Sequence, residues 1–113
     1  MKTIGYAAAS PDSPLTPYVF ERRPLRPNDV AMEVLYCGVC HSDLHMVRND
    51  WHWTIYPIVP GHEIIGRVIA VGDAVSRYAV GDAVAVGCMV DSCMTCDQCR
   101  KGEEQLCREG NTG

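Results

Sequence analysis

Four cysteines fall within fifteen residues near the end of this sequence: Cys93, Cys96, Cys99 and Cys107, spaced C-x2-C-x2-C-x7-C. Four thiolates can fill the tetrahedral shell of one Zn²⁺ at about 2.3 Å per bond. A shell closed by protein leaves no position for substrate, so such a site is structural. A second set lies upstream, with Cys40 in CGVCHSDLH (37–45) and His62 in PGHE (60–63). A cysteine and a histidine give a zinc ion two ligands, and catalytic zinc takes three from protein and keeps one position open. Asp43 and Glu63 stand beside these ligands in sequence, as carboxylates that orient a ligating imidazole do.

Both sets admit other readings. A bacterial ferredoxin run also begins C-x2-C-x2-C but continues x3-C-P; here Glu103 holds the fourth-cysteine position, and Arg108 follows Cys107. Disulfides need an oxidising compartment, and seven cysteines leave one over. Zinc is the favoured reading of the quartet. The Cys40/His62 pair is weak evidence by itself, since His62 after Pro60 and Gly61 can equally cap a turn. The Cys37/Cys40 spacing matches a redox motif, but the βαβ context it requires is missing. Trp51 and Trp53 read as core residues more readily than as a substrate wall, and Cys37 and Cys88 read as small buried residues.

The elements that must position these side chains read mainly as β. Residues 30–36 alternate with the two-residue period of a strand. Ile64–Val71 and Ala79–Val86 are apolar and β-branched, and a first strand is predicted near Thr3–Ala9. VGDAV occurs at 71–75 and again at 80–84, each copy putting Gly-Asp at a turn. Pro11, Pro14 and Pro17 mark one loop, and Pro24 and Pro27 another. One short helix is predicted after Cys40, with Ser42 or Asp43 as cap and a body from Leu44 to Arg48. Short strands with Gly/Pro turns suggest a barrel or sandwich. The lobe at about 88–110 is too polar for a core of its own, so metal is its expected organiser.

At 113 residues the chain fits one domain. A net charge of −4 excludes a nucleic-acid surface as the leading function. No secretory signal or membrane-length apolar run is evident, so a reducing cytoplasm is the expected compartment.

Together, CGVCHSDLH (37–45), YPIVPGHEIIGRV (56–68), VGDAVAVG (80–87) and the four-cysteine lobe resemble the zinc-dependent medium-chain alcohol dehydrogenases, nearest the cinnamyl alcohol dehydrogenase group with its bacterial broad-range aldehyde reductases. The similarity runs from about residue 26 to the end. It implies a partial GroES-like barrel with an irregular zinc lobe, residues 1–113 being the N-terminal part of the catalytic domain. It implies a structural zinc on the quartet and a catalytic zinc on Cys40 and His62, with Glu63 as the acidic group behind it. Ser42 would receive the alcohol proton and His45 pass it on, while Asp43 holds the ring of His62. His41 would contact the cofactor pyrophosphate, and Trp51, with Trp53 as an alternative, would line the substrate pocket. The implied reaction interconverts primary alcohols and aldehydes with NADP or NAD, in a parent protein that forms homodimers, with neither nucleic acid nor membrane as partner.

The sequence departs from that pattern at its end. No G-x-G-x-x-G occurs, so the nucleotide-binding domain is absent from these residues, and the family's third catalytic ligand would lie past Gly113. The expectation is that this chain alone is inactive. A non-enzymatic, zinc-stabilised β module and a thiol-redox or iron–sulfur protein are the alternatives.

Overall fold

The computed structural model describes residues 1–110 and Thr112. Strands β1 (Lys2–Ala7) and β2 (Thr16–Glu21) form an antiparallel ribbon, from Lys2 opposite Glu21 to Ala7 opposite Thr16. Strand β2 is absent from the sequence reading, which gave this stretch to a proline-marked loop. Pro17 lacks an N–H, but each strand of a two-stranded ribbon has a free edge, where proline is tolerated.

A second sheet has the order β3-β4-β5, with β3 (Val30–Gly38), β4 (Glu63–Val71) and β5 (Ala83–Val86) all antiparallel. The β3–β4 register runs from Val30 opposite Val71 to Gly38 opposite Glu63, with irregularities at Ala31/Met32 and Val34/Tyr36. At the second of these, Gly66 lies so close to β3 that a Cβ there would stand 2.6 Å from Met32 Sδ and 2.7 Å from the Glu33 carbonyl. β5 is shorter than the predicted run, because Ala79–Asp82 forms a turn closed by Ala79 N–H to Asp82 Oδ2 at 2.9 Å. Gly81 takes φ +97° within it.

Between β3 and β4 lies α1 (His41–Arg48). In the lobe, α2 (Asp97–Arg100) is one helical turn, followed by a 3₁₀ turn at Glu104–Leu106. Ala8 and Ile58 exchange backbone hydrogen bonds of 2.9 and 3.0 Å, which ties the end of β1 to the segment leading to His62.

Among the described residues the architecture is mainly β and forms no closed barrel. The apolar core is thin: Ala7, Ala8, Val68 and Cys99 are buried, and Val68 is the largest side chain fully enclosed. Tyr36 at 74% and Val34 at 54% stand exposed on the sheet. Cys37 and Cys88, expected to be buried, are both exposed. No described helix is long and apolar enough to cross a membrane.

Candidate metal centres

The register of the larger sheet explains how Cys40 and His62 meet. Gly38, the last residue of β3, pairs with Glu63, the first of β4. Antiparallel pairing therefore delivers Cys40, two residues past one strand, and His62, one before the other, to the same sheet end. Cys40 Sγ and His62 Nε2 lie 3.3 Å apart across 22 positions. Two ligands at about 2.3 and 2.0–2.1 Å on one tetrahedral zinc stand ~3.5 Å apart, so this spacing suits a shared ion.

Asp43 organises the pair. Cys40, and not Ser42 or Asp43, is the N-cap of α1: its sulfur accepts the Ser42 N–H at 3.4 Å, while Asp43 Oδ2 accepts the Cys40 N–H at 2.9 Å. This is a capping box with a thiol where serine or threonine is usual. The other oxygen, Oδ1, accepts the Gly61 N–H at 2.8 Å and faces His62 Nδ1 at 3.1 Å. A carboxylate only accepts, so Nδ1 carries the proton and Nε2 keeps its lone pair toward Cys40. Both Asp43 oxygens are thus engaged by hydrogen bonds within the Cys40–Asp43–His62 cluster, a group that could hold a metal ion.

Charge follows the same pattern. The Ser42 hydroxyl, 2.8 Å from the sulfur, is the main influence lowering the Cys40 thiol from its ordinary value, helped by the Ser42 N–H and His62. The Asp43 hydrogen bond raises His62, against partial burial. Glu63 stands outside this cluster, its carboxylate packed over Gly38, where a Cβ would lie 2.7 Å from Oε2. Gly61 takes φ +115°, and a Cβ there would stand 2.4 Å from Cys37 Sγ, leaving no space for a side chain.

The other named residues extend from α1. His41 and His45 stand one turn apart with ring centroids at 5.4 Å, and His45 lies 5.3 Å from Trp51, which stacks on Trp53 at 6.2 Å. Both tryptophans are exposed, so neither is core. His45 Nδ1 lies 2.8 Å from Asp50 Oδ2, a partner the sequence reading missed. The signal available was Asn49-Asp50 directly after the helix: Asn49 adopts the left-handed conformation (φ 58°) that ends helices and turns Asp50 back.

In the lobe, the sulfurs of Cys93, Cys96, Cys99 and Cys107 all lie within 4.8 Å of one another. Cys93 and Cys99 are 3.8 Å apart, matching the ~3.8 Å edge of a tetrahedron with 2.3 Å Zn–S bonds. Amides converge on the sulfurs. The Thr95 N–H, with that of Cys96, brings Cys93 down to about 6. The Arg108 N–H, with that of Cys99, lowers Cys96. At Cys99 the Ser92 hydroxyl acts to lower the thiol, but burial and the neighbouring sulfurs outweigh it and push Cys99 up to about 11. Arg108 also forks onto Asp97 at 2.5 and 2.8 Å, pinning the residue after Cys107 to α2.

Comparison with known proteins gives a consistent result. Residues 26–113 match the family model of the alcohol dehydrogenase GroES-like domain. The chain is 57% identical over 107 residues to aldehyde reductase YahK of Escherichia coli, covering 95% of this chain and 31% of that protein. It is 51% identical over 107 residues to a probable cinnamyl alcohol dehydrogenase of Arabidopsis thaliana, covering 95% and 30%. Among solved structures, a cinnamyl alcohol dehydrogenase from Sorghum bicolor superposes with a TM-score of 0.91 at 44% identity, over 96% of this chain and 31% of that one. The Helicobacter pylori enzyme CAD, complexed with NADP(H), gives 0.92 at 42% identity, over 96% and 31%. The chain thus spans about a third of the length of the curated relatives it matches.

Proposed function

The chain belongs to the alcohol dehydrogenase GroES-like domain family, and on that premise we propose that residues 1–113 form the N-terminal part of the catalytic domain of a zinc-dependent alcohol dehydrogenase or aldehyde reductase. The reaction is interconversion of primary alcohols and aldehydes with NADP(H) or NAD(H). The carrying observation is Cys40 Sγ facing His62 Nε2 at 3.3 Å, with the Ser42 hydroxyl 2.8 Å from that sulfur.

Zinc on Cys40 and His62 supplies Lewis acidity toward a substrate oxygen. Hydride exchange is the chemistry of the nicotinamide cofactor. The protein's own groups hold and move the proton. Ser42 sits beside the ligating sulfur and takes the alcohol proton. His45, one helical turn on, accepts it; Asp50 holds its Nδ1–H, so Nε2 is the basic nitrogen. Asp43 keeps His62 in the tautomer that ligates. His41, at the start of α1, adds a donor where the helix N-terminus already favours an anion such as a pyrophosphate. Trp51 and Trp53 offer an apolar wall to the substrate, and Glu63 contributes negative charge near His62. The four-cysteine lobe holds a structural zinc. Homodimer assembly and a cytoplasmic location complete the proposal.

The test is metal-dependent turnover of primary alcohols and aldehydes by the protein as its gene encodes it. The reading expects zinc to be required and expects Cys40→Ser and His62→Ala each to abolish turnover. Zinc bound at Cys40 and His62 with no turnover of any alcohol or aldehyde would overturn the enzymatic reading and favour a zinc-stabilised module.

A further inference from the structure

The last turn of a helix leaves carbonyls without intrahelical partners. In α1 these carbonyls are met by side chains from beyond the helix. Met46 O accepts the Asn49 N–H at 3.2 Å and the Thr54 hydroxyl at 2.6 Å. Val47 O accepts the Tyr56 hydroxyl at 2.5 Å. His45 O accepts the Asp50 N–H at 3.0 Å, and Thr54 N–H returns to Asn49 Oδ1 at 3.0 Å. The chain between helix and clasp includes two non-glycine residues in the left-handed region, Asn49 at φ 58° and His52 at φ 62°. Such backbone persists only where its surroundings determine it.

This short loop presents Asp50 to His45 Nδ1 and sets Trp51 at a tilt beside the His45 ring, with centroids 5.3 Å apart. We infer that Thr54 and Tyr56 are positioning residues: by clasping the last carbonyls of α1, their hydroxyls fix where Asp50 and Trp51 stand relative to His45. Burial, followed by the Asp12 and Asp50 carboxylates, pushes the Tyr56 phenol up, which keeps it a donor. The inference rests on the proposed roles of His45 and Trp51, but its test requires no turnover.

Isotope-labelled full chain is compared with Thr54→Val, Thr54→Ser and Tyr56→Phe by amide hydrogen exchange and by ring-to-ring cross-relaxation in NMR spectra. Thr54→Val and Tyr56→Phe are expected to speed exchange of the Asp50 amide by roughly tenfold, the scale of one well-made hydrogen bond. They should also weaken the His45–Trp51 ring cross-peak. The Val68 amide, bonded to Asp82 O in the turn before β5, should keep its rate. Thr54→Ser, which keeps the hydroxyl, should behave as the parent. The inference is overturned if Asp50 exchange and the cross-peak are unchanged in both hydroxyl-deleted variants. It is equally overturned if Val68 accelerates in step with Asp50, or if Thr54→Ser matches Thr54→Val. Failure of the enzymatic reading would show separately, as absent turnover with the clasp intact.

Discussion

His62 Nδ1 lies 3.1 Å from Asp43 Oδ1, and the other oxygen of that carboxylate takes the backbone N–H of Cys40 at 2.9 Å. One buried side chain therefore sets the ring orientation of one metal-competent residue and the backbone position of the other. Asp43→Asn replaces an acceptor with an amide that must turn a donor toward at least one of these groups. The expected cost is about 1–3 kcal/mol in chemical denaturation. Cobalt affinity at Cys40/His62 should fall by about 10–100-fold. Unaltered cobalt affinity would separate Asp43 from the metal site.

Cys107→Ser removes one sulfur from the quartet. Zinc content of the purified chain should drop by one tightly held ion, and amide exchange across 88–110 should accelerate. Structural zinc contributes on the order of 10–16 kcal/mol in small zinc peptides, so the lobe should lose its fixed structure. Full zinc retention would show that the four sulfurs do not share an ion.

Ser42→Ala leaves the Cys40 cap without its hydroxyl partner and removes the first proton carrier. Turnover in the protein as its gene encodes it is expected to fall by about 10²–10⁴-fold, with zinc content unchanged. Retained turnover would take Ser42 out of the relay.

Asp29 receives the Arg23 guanidinium and the Arg26 N–H, and these bring its carboxyl down to about 2. The folded chain thus binds a proton less readily there than the unfolded chain. This contribution to stability is complete above the ordinary carboxylate value of 3.8 and is lost as pH falls through about 2. Asp29→Asn should flatten the acid limb of a stability–pH curve between those limits. An identical acid limb in the variant would assign the pH dependence to other carboxylates.

Gly61 combines φ +115° with a neighbour, Cys37 Sγ, that a Cβ at this position would approach to 2.4 Å. Gly61→Ala is expected to destabilise by about 1–3 kcal/mol and to displace the amide that Asp43 holds. Pairing it with Cys37→Ala should relieve the crowding but not the backbone strain, so recovery measured by denaturation should be partial.

The two candidate metal sites differed in how far the sequence disclosed them. The quartet is local: Cys93, Cys96 and Cys99 surround one helical turn, so spacing alone suggests a shared ion. Cys40 and His62 meet only through the pairing of Gly38 with Glu63, a long-range register that spacing does not encode. They were legible through resemblance. Asp50 was missed because its contact with His45 depends on the left-handed backbone of Asn49. Strand β2 was missed because its proline masks a pairing that a two-stranded ribbon tolerates. Cys37 and Cys88 were misread because the core is thinner than the composition implies: among the described residues the buried hydrophobic side chains are those of Ala7, Ala8, Val68 and Cys99.

The pairing of Gly38 with Glu63 also has a bearing on how such a sequence can change over generations. The stretch from Cys40 to His62 is an excursion that leaves and re-enters the sheet at adjoining points, so its length is free to drift wherever α1 and its clasp are spared. A single residue added or deleted inside β3 or β4 is different. It would turn the alternation of that strand over and carry Cys40 or His62 away from its partner. Natural variation in length should therefore be scarce within Val30–Gly38 and Glu63–Val71, and between Cys40 and His62 it should fall outside α1 and its clasp.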